Sequence, residues 1–271
     1  MLKPDIGLYE ATIRRVSRRK YLKRPVPAQS LEELKQLAER FQTEEPRIRI
    51  VIGPEGAERL FESRNGYGMA TGAISYAAFI AKDNQVESAL RTGYYGEWLI
   101  LAATKLGLGT CWMAGTFQRP AAESLLSLQA GEELLCVTPL GEAVQEKSFK
   151  ERAIATVMGS RKRKPLEALC TGMDTTLMPE WMKTALECAR NAPSGVNLQP
   201  WRFTGNGDRV RIRLAEGKSG HGTSFIDCGI SMLHFSIGAR QAGVAGVWTA
   251  APDPFLAEFV PDASGLGIGN K

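Results

Sequence analysis

Two stretches of the chain carry the same spaced marks. In the first, Gly93 is followed by Gly107 and then Trp112. In the second, Gly229 is followed by Gly243 and then Trp248, so both series run at intervals of 14 and 5 residues. A unit that reads as helix, proline, strand also occurs twice, ending at Pro46-Arg47 and at Pro200-Trp201. Matched units in the same order point to an internal duplication with a shortened second copy. The alternative is chance agreement between glycine-rich segments. A duplication constrains the fold strongly, because each half must repeat one α+β plan and pack on its copy like a homodimer fused into one chain.

Local patterns fill in that plan. In 30–41, Leu31, Leu34, Leu37, Ala38 and Phe41 fall at helical spacing, and Ser30 with Glu33 reads as a capping box. Residues 47–53, "RIRIVIG", alternate like a half-buried strand, and 73–81, "AISYAAFIA", form the continuous apolar run of a buried one. A helix is predicted over 96–109, with Leu99, Ala102, Ala103 and Leu106 on one face and Gly107 or Gly109 as its left-handed cap. A strand follows at 132–141. The second part reads as a helix over 178–191 with Pro179 near its first position. Two strands follow around a turn at Gly205-Asn206-Gly207, and then a helix and strand within 227–248. The expected architecture is α+β, two related halves at 1–165 and 166–271 packed as an intramolecular pseudo-dimer, with a monomer more in keeping than a homodimer.

Composition excludes several classes. With 44% hydrophobic residues in 271, the chain can build a sizeable core. No run approaches the ~20 apolar residues of a membrane helix. The start, "MLKPDIGLYE", lacks an apolar signal core, so the expectation is a cytoplasmic protein without membrane association. Five scattered cysteines without a CxxC pair, and two histidines, predict reduced buried thiols and no metal site. The net charge of +5 is concentrated in 14–24, with seven Arg/Lys, and in 160–164, with four. Solvated surface charge, nucleic-acid binding and a bound phosphate all fit such clusters, and charge alone does not choose.

The stretch 191–203, "NAPSGVNLQPWRF", is richer than a connection needs. Ser194, Asn197 and Gln199 offer a hydroxyl and two amides, Gly195 permits close approach to the backbone, and Pro193 and Pro200 fix its ends. That set suits a neutral, planar, polar ligand, and it equally suits an Asx- or Ser-capped turn.

"APSGVNLQPWRF" resembles the A-P-S-x-x-N-x-Q-P-W-x-F signature of the flavin-dependent nitroreductase family. Residues 14–27, "RRVSRRKYLKRPVP", look like that family's Arg-Ser-Arg segment. Residues 99–117 are similar to its helix–GLG–strand core, and 160–169 to its terminal basic segment. The resemblance covers most of the chain. It implies a nitroreductase-like α+β fold, FMN as cofactor, NADH or NADPH as hydride donor, and a nitroaromatic, quinone or similar small-molecule acceptor. It also implies roles. Arg15, Ser17 and Arg19 match positions that hold the FMN phosphate and ribityl chain, and Arg161 and Arg163 match basic positions that assist. Pro193, Ser194, Gly195, Asn197 and Gln199 match the turn that approaches the flavin, with Gln199 serving as contact or brace. Ala114 and Gly115 fall where backbone N–H groups approach the ring. No residue is assigned as a catalytic acid or base, since hydride passes directly between nicotinamide and flavin. The order departs from the family's. The first copy keeps Arg-Ser-Arg but has "QTEEP" for a turn, and the second keeps the turn but lacks Arg-Ser-Arg. Complementary losses fit a fused dimer that retains one complete site.

Other residues read more plainly. His234 is taken as a satisfied interface histidine, Tyr94 and Tyr95 as packing residues, the tryptophans as core, and His221 as part of a loop. "GLG" at 107–109 follows a helix, so it is not a Rossmann fingerprint. The competing functions are a flavin sensor or carrier without turnover, a basic nucleic-acid-binding module, and, within the family, reductive dehalogenation or flavin destruction.

Overall fold

The computed structural model describes residues 2–61, 70–145, 162–206, 209–217 and 223–262. In chain order the helices and strands are α1 (Tyr9–Arg14), α2 (Ala28–Glu44), β1 (Ile48–Gly53), α3 (Ala57–Phe61), β2 (Ser75–Ala81), α4 (Val86–Lys105), α5 (Arg119–Leu126) and β3 (Glu133–Leu140). They continue with α6 (Leu166–Leu169), α7 (Glu180–Arg190), β4 (Trp201–Asn206), β5 (Arg209–Leu214), α8 (Ser224–Gln241), β6 (Gly246–Thr249) and β7 (Ala257–Pro261). Among the described residues no helix is long and apolar enough to cross a membrane.

The apolar patterns become the elements they predict. The α2 stripe buries Leu31, Leu34, Ala38 and Phe41, and β2 is buried at every position. The capping box at Ser30 and Glu33 does not form. Pro27, extended at φ −51° and ψ 134°, precedes the helix without a side-chain cap, so Ser30 lies inside the first turn. Glu33 instead accepts from Gln29 Nε2 at 3.2 Å. Helix α4 begins at Val86, ten residues earlier than the sequence suggests, so Tyr94 and Tyr95 lie within it. Strand β4 runs on to Asn206, which pairs with Arg209. The hairpin connection is therefore 207–208 rather than 205–207, and it lies outside the described residues. The short helices α1, α3, α5 and α6 have too few turns to announce a period.

The chain divides into two compact units: Met1–Ile13, Gly93–Trp98 and Lys162–Lys271 form the first, and Arg14–Thr92 and Leu99–Arg161 the second. The expected boundary at 165 follows chain order, whereas this division gives Met1–Ile13 and the middle of α4 to the first unit. The reason is local. Glu97 of α4 reaches His234 Nε2 at 3.0 Å with both side chains fully buried. Gly93 lets α4 approach α8 so closely that a Cβ would lie 2.1 Å from the Ile226 carbonyl oxygen. Tyr95 Oη accepts from Leu2 N at 3.1 Å.

Each unit carries one antiparallel sheet. In the second unit β1, β2 and β3 pair antiparallel in that order, and Met113 forms an antiparallel bridge to Val137 of β3. Tyr76, Ile80, Met113 and Val137 join Leu60 and Leu126 in its core. In the first unit the order is β4-β5-β7-β6, again antiparallel throughout. Here β6 precedes β7 in the chain as Met113 precedes β3. Phe203, Phe235, Trp248 and Phe259 form its aromatic centre, with Trp181 against Phe235 and Phe259. Burying each such ring is worth about 1.5–3 kcal/mol. The repeated glycines have one physical meaning. Gly107 and Gly243 follow the last turns of α4 and α8 at φ +78° and +84°, the left-handed position that ends a helix cheaply only with glycine.

Helices α7 and α8 pack through Gly238, where a Cβ would meet Ala185 Cα at 2.7 Å, Cys188 Cβ at 2.7 Å and the Thr184 oxygen at 2.8 Å. Gly238→Ala is therefore expected to cost about 3 kcal/mol or more. Gly243→Ala, with nothing within 4 Å, carries only its left-handed backbone penalty of about 1 kcal/mol. Urea unfolding of both variants checks the ranking, and equal losses would contradict the packing argument.

Candidate functional site

In the second unit the 15–22 segment is laid into place by backbone hydrogen bonds. Arg18 N donates to the Thr110 oxygen at 2.8 Å, Thr71 N to the Arg19 oxygen at 2.9 Å, Tyr21 N to the Thr71 oxygen at 2.9 Å and Val144 N to the Lys20 oxygen at 3.0 Å. The buried Tyr21 ring adds a hydroxyl bond to the Arg18 oxygen at 2.6 Å. Gly72, at φ +80°, sits so close that a Cβ would lie 2.3 Å from the Tyr21 oxygen. Arg18 turns its guanidinium to the Val144 and Gln145 carbonyls. Arg15, Ser17 and Arg19 lie along this pinned segment, with Ser17 bridged to Thr110. All three are half-buried. The Ser17–Thr110 bridge sets this segment beside the strand-like run that ends at Met113, with Ala114 and Gly115 just beyond. Gly115 is exposed, and nothing lies within 4 Å of where its side chain would be.

In the first unit the turn after α7 is strained and heavily braced. Val196, Asn197 and Gln199 hold φ of +43°, +59° and +48°. Asn tolerates this region, but for β-branched valine it is a true outlier. The braces come from both sides. Gln199 N donates to Ser194 Oγ at 2.9 Å. The buried Gln199 side chain accepts from Lys164 N at 2.9 Å and donates to the Lys162 oxygen at 3.3 Å. Asn197 Nδ2 donates to the Lys162 oxygen at 2.8 Å. Arg163 donates through Nη1 to Asn197 Oδ1 and through Nη2 to the Asn191 oxygen, each at 3.1 Å. From α8, Asp227 takes the Gly195 N–H with both carboxylate oxygens at 3.1 Å. Asp227 is only 4% exposed. Burial pushes its carboxyl up to about 7, with the Gly195 N–H pulling the other way. The crest of the turn faces out, with Val196 61% exposed.

The predicted residues thus gather in two groups, Arg15, Ser17, Arg19, Ala114 and Gly115 in one unit, and Arg163 with Pro193–Gln199 in the other. Arg161 and His221 lie outside the described residues. Asn197, Gln199 and Arg163 are engaged in holding the turn, which the motif alone did not distinguish from ligand contact. Asp227 was missed, since a lone acid in an apolar helix carries no local signature. All five cysteines are free and buried. Burial pushes the Cys170 and Cys188 thiols up to about 12, with Glu167 and Glu187 adding to it at Cys170, so neither is a nucleophile at neutral pH. Tyr94 and Tyr95 are buried.

Residues 7–239 match the family model described as "Putative TM nitroreductase", and the chain belongs to that family. This places it among oxidoreductases. The chain is similar to the crystal structure of a "putative nitroreductase" from Thermotoga maritima, at 21% identity over 96% of this chain and 95% of that one, with a TM-score of 0.64. That likeness shows the fold as nitroreductase-like α+β. Part of the chain also resembles an FMN-dependent nitroreductase from Clostridium difficile R20291, at 19% identity over 53% of this chain and 90% of that one, TM-score 0.43. A nitroreductase family protein from Streptococcus pneumoniae TIGR4 matches at 13% identity over 60% and 98%, TM-score 0.44. No curated protein matches the chain.

The Asp227 carboxyl generates a pH dependence. Its folded pKa lies above the ordinary carboxylate value, so the folded state holds the proton more tightly than the unfolded one. Its contribution to stability is complete below about pH 4 and is lost as pH rises through about 7, on the order of a few kcal/mol. Thermal unfolding of the wild type is expected to show this fall between pH 4 and 7, and Asp227→Asn to flatten it. An unchanged slope in the variant would rule out Asp227 as its source.

Proposed function

We propose that the chain is an FMN-dependent NAD(P)H oxidoreductase that reduces nitroaromatic, quinone or similar acceptors. The observation that carries this reading is the turn at 193–199. Three left-handed residues cost on the order of 1–3 kcal/mol each, and such strain at an exposed crest, held from below by a buried carboxylate, belongs to a site that must present a fixed surface. The donor sets fit the cofactor. Two guanidiniums and a hydroxyl on one pinned segment suit a dianionic phosphate. The open position at Gly115 lets a flat ring come against backbone N–H groups. Ser194 keeps its hydroxyl proton for a ligand, since its oxygen is the acceptor for Gln199 N. Arg163, Asn197 and Gln199 are assigned as braces of the turn, and ligand contact falls to Pro193, Ser194 and Gly195.

FMN, when bound, supplies the acceptance and donation of hydride. The chain's own task is to hold a phosphate at Arg15, Ser17 and Arg19, to offer Ala114 and Gly115 backbone donors where negative charge develops on the ring, and to keep the turn rigid. No side chain need move a proton, in keeping with the absence of a reactive thiol or accessible histidine among the described residues.

Each charge-assisted phosphate contact is worth on the order of 1.5–3 kcal/mol. Arg15→Ala with Arg19→Ala is therefore expected to weaken FMN binding at least a hundredfold while circular dichroism and the unfolding midpoint stay near wild type. Full flavin occupancy in the folded double variant would show that the assigned phosphate contacts are wrong.

A further inference from the structure

The sheet β4-β5-β7-β6 buries Trp201, Phe203, Val210, Ile212 and Phe259. The residues between them in register fall on its other face, and that face is rich in arginine. Two of the arginines are neutralised by one carboxylate, since Glu258 receives Arg209 Nη1 at 3.0 Å and Arg211 Nε at 2.7 Å. The other two, Arg202 and Arg213, are direct partners across the β4–β5 ladder. Like charges placed opposite one another destabilise a hairpin, and no carboxylate among the described residues pairs with either. Their hydrogen bonds among those residues go to backbone carbonyls. Arg202 Nη1 donates to the Gln199 oxygen at 3.3 Å and the Trp201 oxygen at 2.6 Å, and Arg213 Nη1 to the Leu214 oxygen at 3.2 Å. A third cation stands at the same place, because Lys164 Nζ donates to that Gln199 oxygen at 3.2 Å. Burial, and then the charge of Arg213, holds Arg202 below the ordinary arginine range.

We propose that Arg202 and Arg213, with Lys164 beside them, form a binding site for a phosphate group of a small molecule. Each guanidinium is anchored by Nη1 and retains Nε and Nη2 donors, the planar fork that takes two phosphate oxygens at once. A bound dianion removes the cross-strand repulsion, so the site gains from its ligand what the bare hairpin loses. The half-buried setting of both side chains strengthens the attraction relative to open solvent. The chemistry is shared by free pyrophosphate and by the phosphate of a phosphorylated nucleoside. The site does not depend on the flavin reading, and Arg15 and Arg19 take no part in it.

The test is calorimetric titration in phosphate-free buffer with two probes, inorganic pyrophosphate and adenosine 2′,5′-bisphosphate. The proteins are the wild type, Arg202→Gln with Arg213→Gln, and Arg15→Ala with Arg19→Ala. Binding is expected to weaken about a hundredfold or more in the Arg202/Arg213 variant, a factor of roughly ten for each charge-assisted hydrogen bond removed. It is expected to persist in the Arg15/Arg19 variant. Tighter binding of the nucleotide assigns the ligand to a phosphorylated nucleoside, and tighter binding of pyrophosphate to the free anion. The unfolding midpoint of the Arg202/Arg213 variant without anion is expected at or above that of the wild type, since a repulsion has been removed. Should that variant fail to fold, Arg213→Gln alone carries the titration. Equal affinity in wild type and in the Arg202/Arg213 or Arg213 variant, weakening confined to the Arg15/Arg19 variant, or no binding by wild type at millimolar probe would each overturn the proposal.

Discussion

Helix α8 is buried at every position from Ile226 to Ala239. Ser224 Oγ and Ser231 Oγ have no hydrogen-bond partner among the described residues, but Asp227, His234 and Ser236 are met by other elements. Each partner belongs to a different element. Asp227 takes the Gly195 N–H of the strained turn. His234 takes Glu97 from the middle of α4. Ser236 Oγ and the Met232 carbonyl both accept from Trp248 Nε1 of β6 at 3.0 Å. One helix thus fixes the turn, the inserted stretch of α4 and a sheet edge, while Gly238 fixes its distance from α7. Loss of Glu97 would leave the His234 ring buried without its contact at Nε2, the situation in which a buried pair matters most.

In the proposed function the turn at 193–199 carries this dependence to the ligand. A valine and a glutamine in left-handed conformation are unfavourable in isolation. They persist because Ser194, Lys164, Gln199 and Asp227 together over-determine the backbone around them. The bracing leaves a rigid outward crest, and rigidity is what a site needs when its ligand supplies the reactive chemistry and the protein supplies placement.

The sequence told most where physics is local. The continuous apolar run became the fully buried β2, and the helical stripe of 31–41 became the buried face of α2. The spacing of Gly107 and Gly243 proved to be the same left-handed helix end in two units. What stayed illegible was tertiary. Asp227 looks like any acid until the helix around it is seen to be buried, and Gly93 hid the start of α4 because its reason is the Ile226 carbonyl far along the chain. Ser30 and Glu33 matched a capping pattern that Pro27 forestalled. The turn motif marked 193–199 as unusual but did not give the direction of its amides. Asn197 and Gln199 look alike as ligand donors in the sequence, and only the positions of Lys162, Arg163 and Lys164 show that they brace.

The proposed function requires that this chain bind FMN and reduce it with a nicotinamide nucleotide. The most direct measurement is the visible absorption spectrum of the FMN-reconstituted protein under anaerobic titration with NADH and, separately, NADPH. The flavin bands are expected to bleach with at least one nucleotide and to return when a quinone or nitroaromatic is added. Bands that withstand both nucleotides would contradict the oxidoreductase reading and leave a flavin carrier, and a protein that takes up no FMN would contradict the site itself.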